Sequence, residues 1–256
     1  MFRPRIIPVI LIDEDGHAVK SIKFRKKIDL GDPVNTVSIF NSFRVDELVL
    51  LDIAATKRGR LISLDLMADI ASEAKMPFSV GGGVTTLDDI RKILSTGAEK
   101  VVISTAGLER PEFIREATER FGSSSIMVCI DVQKNLFGSQ TVRIRGGSKK
   151  LNTSPLEAAL QMEKMGAGEI IIQSIDRDGT MSGYDLLLTN IIASAVSVPV
   201  IALGGAGCLD DMKEAYAKTH ASAFASGSLF CFQNHDRGVL INYPSKTLLS
   251  SFRNIR

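Results

Sequence analysis

The chain has no tryptophan, only three cysteines and three histidines, and acidic and basic residues that nearly cancel to a net charge of +2 at pH 7. Each scarcity excludes something. His17, His220 and His235 are scattered without ligand spacing, so we expect no metal and read no cofactor from the chain. Cys129, Cys208 and Cys231 are isolated and odd in number, which fits neither a zinc site nor a disulfide framework and favours a reducing, cytoplasmic setting. The charge balance argues against a nucleic-acid binder, which would carry a dense basic face. The one basic concentration, Lys20, Lys23, Arg25, Lys26 and Lys27, falls in what reads as a loop. No apolar run is long enough to span a membrane. The first one, Ile6 to Ile12, is short, contains Pro8 and leads into Asp13-Glu14-Asp15, which does not fit a signal peptide.

What the chain does have is a repeat. Residues near 47 to 104 overlay residues near 169 to 226 at a constant offset. Glu47-Leu48-Val49-Leu50 answers Glu169-Ile170-Ile171-Ile172, Pro77 answers Pro199, Gly82-Gly83 answers Gly204-Gly205, Leu87-Asp88-Asp89 answers Leu209-Asp210-Asp211, and Ser104 answers Ser226. A repeat of half a chain is not a solenoid unit. With 256 residues and no linker-like stretch, the expectation is one α/β domain over 1–256, a single (β/α)8 TIM barrel made of two duplicated half-barrels, about 1–122 and 123–256.

Eight short, nearly continuous apolar runs read as strands buried on both faces: Arg5–Ile12, Leu48–Asp52, Pro77–Val80, Lys100–Ile103, Met127–Ile130, Glu169–Ser174, Val200–Leu203 and Ala223–Ala225. Between them, helical patterns run over Pro33–Phe43, Leu64–Ala74, Leu87–Ser95, Pro111–Phe121, Ser154–Met165, Tyr184–Val196 and Leu209–Lys218. Asp32-Pro33 and Ser154-Pro155 place a capping residue before a proline tolerated in the first turn. Strict alternation implies a parallel sheet with right-handed crossovers. Beyond Phe230 the pattern is less regular, and no long eighth helix is assigned.

In such a barrel the chemistry lies at the C-terminal ends of the strands. The seventh strand ends in Gly204-Gly205-Ala206-Gly207 and the eighth in Ser226-Gly227-Ser228. The first half repeats the device in Gly81-Gly82-Gly83 and Ser104-Thr105. Glycines let N–H groups converge on an anion, and a following helix N-terminus adds a favourable dipole. Two such nests on opposite rims point to an extended ligand with a phosphate at each end, although glycines also serve tight βα turns. Three carboxylates end strands, Asp52, Asp131 and Asp176, with Asp178 close behind. Asp131 follows an apolar strand and is the candidate general acid or base. Asp52 and Asp176 fit structural capping equally, and Arg177 between Asp176 and Asp178 fits a local ion-pair network.

Arg5, Glu47, Lys100 and Glu169 stand at or just before the starts of the first, second, fourth and sixth strands. They can point to the axis and form a salt-bridged constriction, or be ordinary surface charges. Buried ion pairs are weak evidence of stability, so a ring there invites a functional reading.

The segments Arg5-Ile6-Ile7-Pro8, Gly31-Asp32-Pro33, Asp46–Ile53, Gly81-Gly82-Gly83-Val84, Ser174–Thr180, Ser182-Gly183-Tyr184-Asp185 and Gly204-Gly205-Ala206-Gly207 resemble the cyclase subunit of imidazole glycerol phosphate synthase through nearly the whole chain. The resemblance implies a barrel that docks a glutaminase on its bottom face and passes ammonia through a charged gate, matched by Arg5, Glu47, Lys100 and Glu169. The ammonia meets a doubly phosphorylated ligand at the top. Lys20 matches a substrate-contacting lysine in the loop after the first strand. The resemblance also implies two acid–base aspartates; Asp131 matches one, and Leu11 stands in place of the other. Ser104 replaces an asparagine beside the phosphate.

The tail, Gly227-Ser228-Leu229-Phe230 and then Val239–Ser245, resembles a divergent glycosyl amidation-associated branch of that family. That branch implies work with a glutaminase and a separate ATP-dependent amidotransferase, installing an acetamidino group on a sugar for surface polysaccharide. The expectation is therefore an ammonia-channelling subunit of a glutamine-dependent amidotransferase. The alternatives are a working cyclase (a lyase) of histidine biosynthesis and a phosphosugar-binding scaffold without ammonia transfer.

Overall fold

The computed structural model of the protein describes residues 3–135, 138–233 and 238–255, with the side chains of 253 and 254 left aside; His235 lies outside the described residues. Twelve strands are present in this set: β1 (Arg5–Ile12), β2 (Ala18–Ile22), β3 (Lys26–Gly31), β4 (Leu48–Asp52), β5 (Phe78–Gly81), β6 (Lys100–Ile103), β7 (Ile126–Lys134), β8 (Gln140–Ile144), β9 (Lys149–Lys150), β10 (Glu169–Ser174), β11 (Val200–Leu203) and β12 (Ala223–Ser226). Eight of them, in the order β1-β4-β5-β6-β7-β10-β11-β12, pair in parallel, and β12 returns to β1 through Arg5↔Ala223 to Pro8↔Ser226. The sheet is closed, and flanking helices cover it: a (β/α)8 barrel.

Strand periodicity sorts the apolar residues into two cores. On β1, Ile6, Ile10 and Ile12 face outward and join Phe40, Leu48, Met67 and Ile90 between sheet and helices. Ile7, Val9 and Leu11 face the axis and join Val49, Val102, Met127, Cys129, Ile171 and Ile201. The expected helices are present with tighter ends. Pro33–Phe43 is capped by Asp32, whose carboxylate accepts from the Asn35 N–H, and Pro155–Lys164 by a reciprocal Ser154–Glu157 capping box. The helix expected over Tyr184–Val196 is confined to Leu186–Ala193, because Asp185 caps it at one end.

Three expectations are corrected. The strand placed at Pro77–Val80 is shifted by one, to Phe78–Gly81. The fifth barrel strand does not stop at Ile130 but continues to Lys134, because β8 pairs with its extension from Asp131↔Arg143 to Lys134↔Gln140. The basic stretch around Lys20 is no loop either. It is the β2–β3 hairpin, antiparallel to the upper end of β1 through Leu11↔Val19 and Ile12↔Ala18. Alternation of Val19 and Lys20 along a short strand was masked by the surrounding charge.

The tail closes the barrel without a long eighth helix among the described residues. A short helix, Ser228–Cys231, follows β12, and a second, Lys246–Ser250, lies near the end of the chain. Tyr243 anchors the segment between them. Its ring packs on Phe230 with centroids 5.3 Å apart, and its hydroxyl donates to the Ile6 carbonyl at 2.9 Å. Leu249 and Phe252 are buried behind it. Tyr243→Phe should remove this buried bond and leave the Ile6 carbonyl without its side-chain partner, costing about 1–2 kcal/mol. Denaturant unfolding checks this; an unchanged midpoint would mean that the tail is held by its apolar contacts alone.

Candidate functional site

The inward-facing residues of each strand form rows from floor to mouth. On β1 the row is Arg5, Ile7, Val9, Leu11; on β10 it is Glu169, Ile171, Gln173; on β7 it is Met127, Cys129, Asp131. Register pairs Glu169 with Met127, Ile171 with Cys129, and Gln173 with Asp131. Every row thus runs through an apolar middle to a different end group at the mouth.

At the floor the four charges do meet. Arg5 bonds Glu47 at 2.5 Å and also binds Glu169, while Lys100 lies 3.1 Å from Glu169 and 3.7 Å from Glu47. Ser79, fully buried, donates to Glu47 at 3.1 Å. Burial opposes the Arg5 charge, but the hydrogen bonds and charges of Glu169 and Glu47 outweigh it and hold its pKa above the ordinary arginine value. Both carboxylates are buried. A ring of two cations and two anions lets each ion be compensated by its neighbours, which is the condition for tolerating ions at a poorly solvated constriction.

At the mouth a cavity of about 750 Å³ opens over the first half of the barrel. Its lining includes Gly82, Gly83, Ser104 and Thr105 together with Leu11, Asp131 and Gln173. Gly83 has φ +71°, and a Cβ there would lie 1.8 Å from the Arg60 carbonyl, so glycine is required where the turn folds onto the next loop. The N–H groups of Gly83, Ser104 and Thr105 donate to nothing among the described residues, and the buried Ser104 hydroxyl has no partner. The Thr105 hydroxyl accepts from the Arg145 N–H at 2.9 Å. Unsatisfied donors converging beside a helix N-terminus make a cradle for an anion.

The second-half nest is built differently. Gly204, Gly205, Ser226, Gly227 and Ser228 line a small cavity of about 20 Å³ together with Lys20, Gln173 and Asp178. The Lys20 amino group forms part of its wall, against Gly227. It donates to the Val9 carbonyl, and a Cβ on Gly227 would lie 1.9 Å from its Nζ. Burial depresses the Lys20 pKa, partly offset by Cys231 and Asp178. The Gly207 N–H, expected in this nest, instead donates to Asp211 at 2.8 Å as part of a helix cap, and Gly207 lies outside the cavity lining. Asp176 lines neither cavity; its carboxylate accepts from the Lys134 N–H at 2.6 Å on the extended β7. Asp178 takes the inner place, accepting from the Ser21 hydroxyl at 2.6 Å. Asp52 accepts from the Ala54 and Ala55 N–H groups and from Arg60, which satisfies it as a capping carboxylate. The hairpin bridges the mouth: the Lys23 N–H donates to the Asp178 carbonyl, and the Phe24 ring lies over Gly147.

Asp131 is the ionisable side chain at the centre. Burial raises its pKa to about 7, the Cys129 thiol hydrogen bond at 3.6 Å draws it down, and the Asp178 charge pushes it up. Such a group exchanges protons near neutrality. Across the mouth, Leu11 is 6% exposed and packs with Val9 and Val19.

Residues 5–236 match a histidine biosynthesis protein family. The chain is 44% identical to the imidazole glycerol phosphate synthase subunit HisF of Hydrogenobaculum sp., over 91% of this chain and 92% of that protein. The chain belongs to the imidazole glycerol phosphate synthase cyclase family. Two relatives named "Putative imidazole glycerol phosphate synthase subunit" are also similar. One is hisF2 of Pseudomonas aeruginosa, 45% identical over 95% of this chain and 97% of its own. The other is hisF3 of Vibrio vulnificus, 44% identical over 96% of this chain and 94% of its own.

Sequence reasoning missed Cys129 and Gln173 at the mouth. Gln173 carried a readable signal: it ends the apolar run Ile170–Ile172 two residues beyond Ile171 and four beyond Glu169, hence on the same face. The raised Asp131 pKa has a thermodynamic consequence. The folded state holds this proton above the unfolded carboxylate range, so the burial penalty is absent below about pH 4, grows as pH rises, and is complete above about pH 7. Asp131→Asn should therefore be stabilising near pH 8 by on the order of 2–4 kcal/mol, with the advantage shrinking towards pH 4. Denaturation of both proteins across that pH range checks the sign; a pH-independent difference would mean that Asp131 does not titrate as described.

Proposed function

We propose that this protein is the barrel subunit of a glutamine-dependent amidotransferase, receiving ammonia from a glutaminase docked around the floor and conducting it to the mouth. The observation that carries this reading is the closed ring of Arg5, Glu47, Lys100 and Glu169 beneath an otherwise apolar bore. Neutral ammonia crosses an apolar interior readily, whereas an ammonium ion entering it loses its hydration. At the mouth, the free amides around Ser104 and Thr105 suit one phosphate, and the nest around Gly205, Gly227 and Ser228, with Lys20 beside it, suits a second.

The acceptor follows from Leu11. The family resemblance implies an aspartate there, and leucine cannot move a proton, so we assign the ammonia to a separate ATP-dependent amidotransferase that forms an acetamidino group on a sugar of surface polysaccharide. The glutaminase and that amidotransferase are the partners this reading requires, in the cytoplasm. A second reading, a working cyclase of histidine biosynthesis, is favoured by Asp131, whose pKa near 7 suits acid–base chemistry.

The readings separate in a strain lacking the histidine-pathway cyclase. A positioned acid–base group contributes about 10²–10⁴-fold, so the unmodified chain should complement poorly and Leu11→Asp should improve it. Robust complementation by the unmodified chain would promote the second reading. The gate is tested separately. Lys100→Ala leaves buried Glu169 and Glu47 short of a cation and should cost on the order of 3 kcal/mol. If the variant is folded, glutamine-dependent product should fall while product made from added ammonium is largely retained. An equal fall in both, with glutaminase binding unchanged, would mean that the ring does not control passage.

A further inference from the structure

We propose that the Asp131 carboxyl and the Gln173 side-chain amide form a holding site for one molecule of ammonia or one ammonium ion at the upper end of the bore. The two residues are register partners on adjacent strands, facing the same side, and both line the mouth cavity. Adjacent strands lie roughly 4.8 Å apart, so the side chains stand next to one another with room for a water-sized molecule to bridge their tips. Both are more than nine-tenths buried, at 8% and 5% exposure. Neither satisfies the other: Asp131 accepts from the Cys129 thiol, and the Gln173 amide has no hydrogen-bond partner among the described residues. Its polar atoms open into the cavity, where a small polar molecule can meet them. Gln173 also lines the small second cavity, which places it at the junction of the two half-mouths.

The rows below explain why ammonia is the ligand. Molecules rising along β10 pass Glu169 and Ile171 before Gln173, and those rising along β7 pass Met127 and Cys129 before Asp131. On these two rows the pair is the first charged or amide group beyond the apolar section. The proton balance closes within the site. When the carboxyl is protonated, its O–H bond breaks and an N–H bond forms, giving ammonium beside carboxylate, with the Gln173 carbonyl oxygen accepting one ammonium N–H. Release reverses the step and returns the proton to Asp131. Burial has already brought Asp131 near neutrality, so both forms are populated there. The role as a relay rests on the channelling reading; the binding of ammonium does not.

The test uses the isolated barrel, labelled for backbone amide spectra and titrated with ammonium chloride or sodium chloride at matched ionic strength. Ammonium alone should shift the signals of residues 129–133 and 171–175, with apparent affinity falling about tenfold per pH unit below about pH 7. Gln173→Leu should weaken the response about tenfold, the worth of one hydrogen bond, and Asp131→Asn should abolish it. An ammonium response that survives Asp131→Asn would overturn the proposal, and so would equal responses to sodium and ammonium in the unmodified protein, which needs no variant to fold. With glutaminase present, Gln173→Leu should raise the ammonia lost to solvent per glutamate formed. If ammonium fails to bind but glutamine-dependent delivery persists, the holding site is wrong and the channelling reading stands. If ammonium binds and no delivery occurs, the reverse holds.

Discussion

Alternation along eight parallel strands, closed on themselves, fixes where every important side chain can be. A residue two positions along a strand returns to the same face, and closure turns that face into a tube. Once Arg5 points to the axis, so must Ile7, Val9 and Leu11; once Glu169 does, so must Ile171 and Gln173. The floor ring, the apolar bore and the mouth are therefore one construction. Shifting β7 against β10 by a single residue would turn Asp131 out of the mouth and Met127 out of the bore.

Charge is handled differently at the two ends. In the floor each ion has an opposite neighbour, so Arg5 keeps its charge despite burial. At the mouth Asp131 has no such partner among the described residues; a weak thiol donor approaches it, and its proton affinity climbs. Uncompensated burial is tolerated in a fold when the group does something, and a carboxyl poised near neutrality is one that both gives and takes protons. Leu11 sharpens the contrast, since the row opposite ends in an apolar side chain.

The architecture was legible because barrel strands are apolar on both faces and their helices carry readable caps. Six of the eight strand starts and the Asp32 and Ser154 caps stand where the residues put them. Legibility failed where pairing partners are not adjacent in sequence. β7 runs past Ile130 because β8 binds its extension, and that extension draws Asp176 to the Lys134 N–H while Asp178 turns inward to Ser21. Likewise the charged stretch after β1 is a hairpin because Val19 and Ala18 pair with β1, and this buries Lys20 against Gly227. Gly207 looked like a phosphate ligand from spacing, yet Asp211, four residues on, takes its amide. Short-range motifs locate these loops at the strand ends; long-range pairing decides which atoms in them stay free.

The duplicated loops end in unlike halves. The first-half nest keeps free amides, an unpartnered Ser104 hydroxyl and a broad cavity, while the second is a small space walled in part by Lys20. Lys20 donates to the Val9 carbonyl from the wall of that small space, so the hairpin contributes its amino group to the second half-mouth. The hairpin that carries Lys20 is tied to the loop of Asp178 through Ser21 and Lys23. Lys20 is thus held by the same hairpin that straps the mouth. Two halves that are copies in sequence thus differ in the folded chain, one broad at the mouth and one narrowed beside the hairpin that carries Lys20.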